Sequence, residues 1–212
     1  MQTVAGAVRT AKAGARRRAR AALAAVPAAV ALLATGAAGP APAVAAAGEG
    51  PDVVAREAHF VPPENAEPDD GLTYDPTLVP AGAGITVVEV ARDGRTSVRM
   101  GLSGLLPNRT YGAHVHTKPC GPDPAAAGPH YQNEADPVQP SVDPAYANPE
   151  NEVWLDFTTD RLGNAYTSAR QDWRFRPGEA RSVVVHEHAT MTHPGGAGMA
   201  GARLACLSVP FE

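Results

Sequence analysis

A chain of 212 residues with 18 basic against 22 acidic side chains and 5% aromatic residues has, beyond its first 47 residues, no basic stripe and no stacking platform, which argues against a nucleic-acid partner. Residues 1–47 hold Arg9, Lys12, Arg16, Arg17, Arg18 and Arg20 and no acid, leaving the remainder with 12 basic and 22 acidic residues, a net charge near −10. Such a surface repels anions at long range, so an anionic substrate would need a local positive feature.

In chain order, the basic head is followed by an apolar run from Ala21 to Leu33 and by the small-residue stretch Ala41 to Ala47. This is the layout of a secretory signal peptide over residues 1–47, with cleavage expected between Ala43 and Ala47. Pro27 and the many alanines argue against a stable membrane span. Arg16-Arg17-Arg18 leaves a twin-arginine route open. The expected location is secreted or in the cell envelope. Residues 48–70 are rich in Pro, Glu and Asp without sustained periodicity and read as a flexible spacer. The folded domain is expected over residues 71–212.

That domain has the patterning of an all-β protein. Ile85 to Val90 and Thr96 to Leu102 flank Arg92-Asp93-Gly94, an Asp-Gly hairpin signal. Thr110 to His116 is a further strand. Trp154 to Thr158 and Ala165 to Ala169 flank a tight turn at Asp160 to Gly163, and Arg181 to Glu187 and Arg203 to Val209 complete the set. No segment has a helical period. Seven or eight short strands separated by Gly/Pro turns indicate a sandwich or Greek-key barrel.

Two connections are too long for simple turns. Residues 117–152 contain eight prolines, and residues 189–202 contain Gly195, Gly196, Gly198 and Gly201. Long structureless loops in a compact domain are usually functional or disordered, and each of these follows a strand ending in histidine. His114 and His116 share one strand face. Alone, such a pair reads more simply as surface histidines on a half-exposed strand than as a metal clamp. His130 lies in the first loop, and His186 ends the apolar run Val183-Val184-Val185, where a buried imidazole needs a hydrogen bond or a metal. Four imidazoles without thiolate suit Cu(II), with zinc the next candidate. In an exported protein, Cys120 and Cys206 read most simply as one disulfide, worth roughly 3–5 kcal/mol through loop closure.

Several pieces occur in one order: Gly112-Ala-His-Val-His116, Cys120, Ala127-Gly-Pro-His-Tyr131, Val184-Val-His-Glu187 and Gly201-Ala-Arg-Leu-Ala-Cys206. In this order the chain, from about residue 84 onward, resembles the copper/zinc superoxide dismutase family. The resemblance implies an eight-stranded Greek-key β-barrel, copper on His114, His116, His130 and His186, and a Cys120–Cys206 disulfide. It also implies that Arg203 attracts superoxide beside the open copper position; the proton source expected for the reaction is His130 or water. In the family, the histidine matching His130 bridges copper to zinc, and two further histidines and an aspartate complete the zinc site.

This chain has no histidine between His130 and Gly163 and no carboxylate between Glu187 and Glu212. Zinc is therefore not expected at the family's zinc site, and the chain looks like a copper-only member. Without zinc, His130 needs another partner for its second ring nitrogen; Glu134, Asp136, Asp143, Asp156 and Glu187 are the acids considered. His188 shares the parity of His186 and is a lesser candidate ligand. His193 sits in the Gly-rich loop, and His59 falls in the spacer. The leading expectation is an exported copper-dependent superoxide dismutase. The alternative is a non-catalytic copper buffer or delivery protein on the same barrel, and a barrel that has lost metal altogether is the third reading. Oligomeric state is not legible.

Overall fold

The computed structural model describes residues 50–212, so the expected signal peptide lies outside the described residues. Nine strands occur there: β1 (Asp52–Val61), β2 (Gly71–Thr73), β3 (Gly84–Arg92), β4 (Arg95–Ser103), β5 (Thr110–His116), β6 (Phe157–Thr158), β7 (Ala165–Gln171), β8 (Ser182–His186) and β9 (Arg203–Ser208). Their hydrogen-bonded order is β6-β5-β8-β9-β2-β1-β3-β4-β7. Edge strands β6 and β7 are joined by the turn at Asp160–Gly163, and the Thr167 hydroxyl donates to the Asp156 carbonyl at 3.1 Å. The sheet thus curls into a nearly closed barrel. Among the described residues, helix is limited to 3-10 turns at Pro63–Asn65 and Pro124–Ala127.

Period-2 patterning builds the barrel. Ile85 and Val87 on β3, Val98, Met100 and Leu102 on β4, and Val183 and Val185 on β8 point inward and are buried with Phe60, Tyr111, Leu204 and Phe211. The turn between β3 and β4 has positive φ at both Asp93 (52°) and Gly94 (76°), the backbone of a tight hairpin that Asp-Gly favours. Gly163 is needed for a different reason. A Cβ there would sit 2.1 Å from the Leu105 carbonyl oxygen, at a φ of +77°.

Two expectations are corrected. Residues 52–61 are not spacer; they form β1, which runs antiparallel to β3 from Asp52↔Ala91 to His59↔Gly84. The alternation is present at Val54, Ala58 and Phe60, but Arg56 occupies an inward position and Pro62-Pro63 follow at once, which blurs the pattern. His59 is thus a strand residue, exposed, with its Nδ1 3.2 Å from the Gly82 carbonyl. The barrel also has nine strands and not eight. The ninth is β2, three residues paired in parallel with β1 and antiparallel to β9.

β5 and β8 position the site. From Tyr111 to His116 every residue is buried, and so is all of β8. Ala113 and Val115 face the barrel core. The opposite face is covered by the two long loops, so His114 and His116 are enclosed where an ordinary strand would meet water.

Candidate metal centre

Strand pairing brings the four histidines together. β5 pairs with β8 through Gly112↔His186 and His116↔Ser182. An isolated bridge sets His130 across from His116, and two more place Trp154 across from His114 and Glu152 across from Gln132. One nitrogen from each of His114, His116, His130 and His186 lies within 4.8 Å of the others. His114 and His116 are fully buried and His186 nearly so, while the His130 side chain keeps 18% exposure.

The hydrogen bonds assign the tautomers. Asp156 accepts from the Thr190 hydroxyl at 2.7 Å, so that hydroxyl can only accept from the Nε2–H of His114, at 2.6 Å. This leaves His114 Nδ1 bare, buried and without any partner. His116 donates Nδ1–H to the Gly128 carbonyl at 2.9 Å, His130 donates Nδ1–H to Glu152 Oε2 at 2.7 Å, and His186 directs Nδ1 at the Gly201 carbonyl at 3.4 Å. Three Nε2 lone pairs and one Nδ1 lone pair therefore converge. His116 Nε2 and His186 Nε2 stand 3.4 Å apart, and with both protons on Nδ1 neither can donate to the other. Bare nitrogens facing at that distance repel unless a cation lies between them, so the donor set fits a metal ion.

Electrostatics keep His114, His116 and His186 neutral, as a ligand must be. Burial, reinforced by the neighbouring imidazoles, holds His114 and His116 well below the usual histidine range and pushes His186 down to about 3.

The partner of His130 is a correction. None of Glu134, Asp136, Asp143, Asp156 and Glu187 holds it; Glu152 does. Glu152 is 1% exposed and also accepts from Gln132 Nε2 at 2.8 Å and Trp154 Nε1 at 2.7 Å. Three donors on one buried carboxylate compensate its desolvation and lock its position. Asp156 serves His114 through Thr190 instead. Asp136 accepts from the Ser141 hydroxyl, Asp143 from the Ala145 N–H and Glu187 from the Ala202 N–H. His188 and His193 stand outside the cluster, their Nδ1 atoms at the carbonyls of Ala189 and Pro194.

Arg203 enters through a register shift. At Val185/His186 the β8–β9 ladder slips, setting His186 opposite Arg203. Arg203 donates Nη1–H to the Pro124 carbonyl at 2.8 Å and Nη2–H to the Gly128 carbonyl at 2.7 Å. Gly128 thus anchors both Arg203 and His116. The loop bearing these carbonyls is bound to β9 by the Cys120–Cys206 disulfide. Beyond it, Arg176 fixes the stretch after His130 by donating to the carbonyls of Gln132 and Asn133 and covering the Tyr131 ring at 4.7 Å. Thr190, Gln132, Trp154 and Arg176 gave no sequence signal, because each acts through a contact far along the chain.

The copper/zinc superoxide dismutase (SODC) family model matches residues 83–209. The chain belongs to the copper/zinc superoxide dismutase family. The matched span begins just before β3, so β1 and β2 precede it. No curated protein matches the chain significantly. Among solved structures, the clock protein EA4 is 23% identical with a TM-score of 0.46, covering 61% of this chain and 88% of that one. A double mutant of a SOD-like protein from Bacillus subtilis is 16% identical with a TM-score of 0.46, covering 76% and 96%.

Proposed function

We propose that the protein is an exported, copper-dependent superoxide dismutase whose copper is held by His114, His116, His130 and His186, with no zinc beside it. The observation that carries this reading is the convergence of four unprotonated imidazole nitrogens, one of them buried with no other partner. An all-imidazole set suits copper better than hard cations. Copper, when bound, would supply the one-electron exchange that oxidises one superoxide to dioxygen and reduces a second to hydrogen peroxide with two protons.

The chain's own groups would do the rest. Arg203 lines the cavity with His130 and His186 and supplies the local positive charge that an acidic surface lacks. His130, the most exposed of the four, is placed to take up and deliver a proton at Nε2 while Glu152 holds its other nitrogen. In the zinc-containing family that other nitrogen faces zinc; here Glu152 occupies its hydrogen-bonding direction, which supports a single-metal site. Export is supported by the basic, apolar and Ala-x-Ala leader and by the disulfide, which persists in oxidising compartments. Among the described residues no helix is long and apolar enough to cross a membrane.

A non-catalytic copper buffer would use the same ligands but would need no Arg203. Native mass spectrometry with both metals in excess tests the metal assignment: one copper and no zinc per chain is expected, lost in His186→Ala. In the copper-loaded chain, Arg203→Ala should slow superoxide decay by about tenfold or more, with weaker salt dependence. Tight copper binding with decay no faster than in buffer would favour the buffer.

A further inference from the structure

The cleft over His130 and His186 is much larger than a diatomic anion requires. Its volume is about 390 Å³. Pockets for small organic ligands occupy roughly 300–1,000 Å³, whereas a water-sized molecule takes about 30 Å³ in the liquid. Its lining includes the strap at residues 139–142 and the loop at residues 198–201. The Gly195 N–H donates to the Val142 carbonyl at 3.1 Å, tying the two loops together. The walls are mainly apolar, presenting Pro129, Pro140, Val142, Met199 and Ala200, with Met199 50% exposed.

The polar groups on the walls are mostly committed to one another. Gln132 donates to Glu152, Gln139 to the Gln132 side-chain oxygen and Ser141 to Asp136. Glu152 has its charge taken up by three donors. Arg203 differs. It is the lining guanidinium, and its two bonds to the Pro124 and Gly128 carbonyls leave three of its five N–H groups without a protein acceptor.

We propose that this cleft binds small planar organic carboxylates, the carboxylate on the free N–H groups of Arg203 and the apolar body against Pro140, Val142 and Met199. A guanidinium fork grips a planar carboxylate through paired hydrogen bonds. The apolar walls then discriminate by size. Removing about 60 Å² of ring surface from water at ~25 cal/mol per Å² corresponds to roughly tenfold in Kd. An occupant would cover the approach to His130 and His186, so organic anions would compete with superoxide.

Calorimetric titration of the full chain, metal-free and copper-loaded in parallel, with benzoate, acetate and benzyl alcohol tests this directly. Benzoate should bind about tenfold tighter than either comparison compound in both forms. It should weaken at least as much in Arg203→Gln, in Val142→Trp, which fills the cleft, and in Met199→Glu, an exposed change that sets a repelling charge on the wall. Equal affinity for benzoate and acetate, binding only when copper is present, or undiminished binding in Met199→Glu would overturn the proposal. The metal-free titration stands even if the chain takes up no copper, so failure of the metal assignment and failure of this site are separable.

Discussion

Glu152 is the residue on which the single-metal arrangement turns. Its carboxylate is buried, bound by His130, Gln132 and Trp154, and aimed at the ring nitrogen that points away from the other three histidines. Groups that orient a ligating imidazole typically contribute about 10–100-fold to metal affinity or activity. Glu152→Gln should therefore weaken copper binding by roughly that factor while leaving the barrel folded, measured by competition with a copper chelator. Unchanged affinity would reduce Glu152 to a packing role. The residue was not legible in the sequence because its link to His130 depends on two bridges, His116↔His130 and Gln132↔Glu152, that fold separate parts of one proline-rich loop together. His114 and His116 were legible because their spacing is local and a strand fixes their common face.

At the scale of the element, β3 carries an acid in the barrel interior. Glu89 pairs in register with Val54 and Val98 and is 1% exposed. One carboxylate oxygen accepts the Glu212 N–H at 3.0 Å, and the other has no partner. Burial outweighs this bond and the nearby Arg174, raising Glu89 from 4.5 to about 7. A carboxyl whose folded value is raised favours the folded state while protonated. Its contribution is complete below pH 4.5 and declines as pH rises to about 7. Glu89→Gln, which stays neutral, should flatten that decline and raise Tm at pH 8, as a pH series of thermal unfolding would show. An identical pH profile in the variant would contradict the assignment. Alternation was enough to place β3 and β4, whereas β1 was lost to an inward Arg56 and weak Ala positions, and β2 is too short to leave any period.

Across the whole molecule, the disulfide joins what the barrel alone does not. Cys120 and Cys206 are 86 residues apart, and constraining so long a loop is worth about 4–5 kcal/mol in the chain-entropy model. The Cys120→Ser, Cys206→Ser variant should lose roughly 10 °C or more in Tm, read by calorimetry; an unchanged Tm would contradict this. The same bond holds the loop that presents Pro124 and Gly128 to Arg203, so its loss should also loosen the anion guide. The barrel class and the histidine cluster were readable because they rest on short-range patterns repeated along the chain. The supports were not, because Thr190 with Asp156, Arg176 with Gln132 and Gly128 with Arg203 meet only after the loops fold over β5 and β8.

The most direct test of the central claim is the rate of superoxide decay catalysed by the full chain carrying one copper and freed of zinc. Decay far faster than in buffer, absent from the zinc-loaded chain and abolished in His186→Ala, is the predicted result. Decay at the buffer rate, or activity that appears only once zinc is added to the copper-loaded chain, would contradict it.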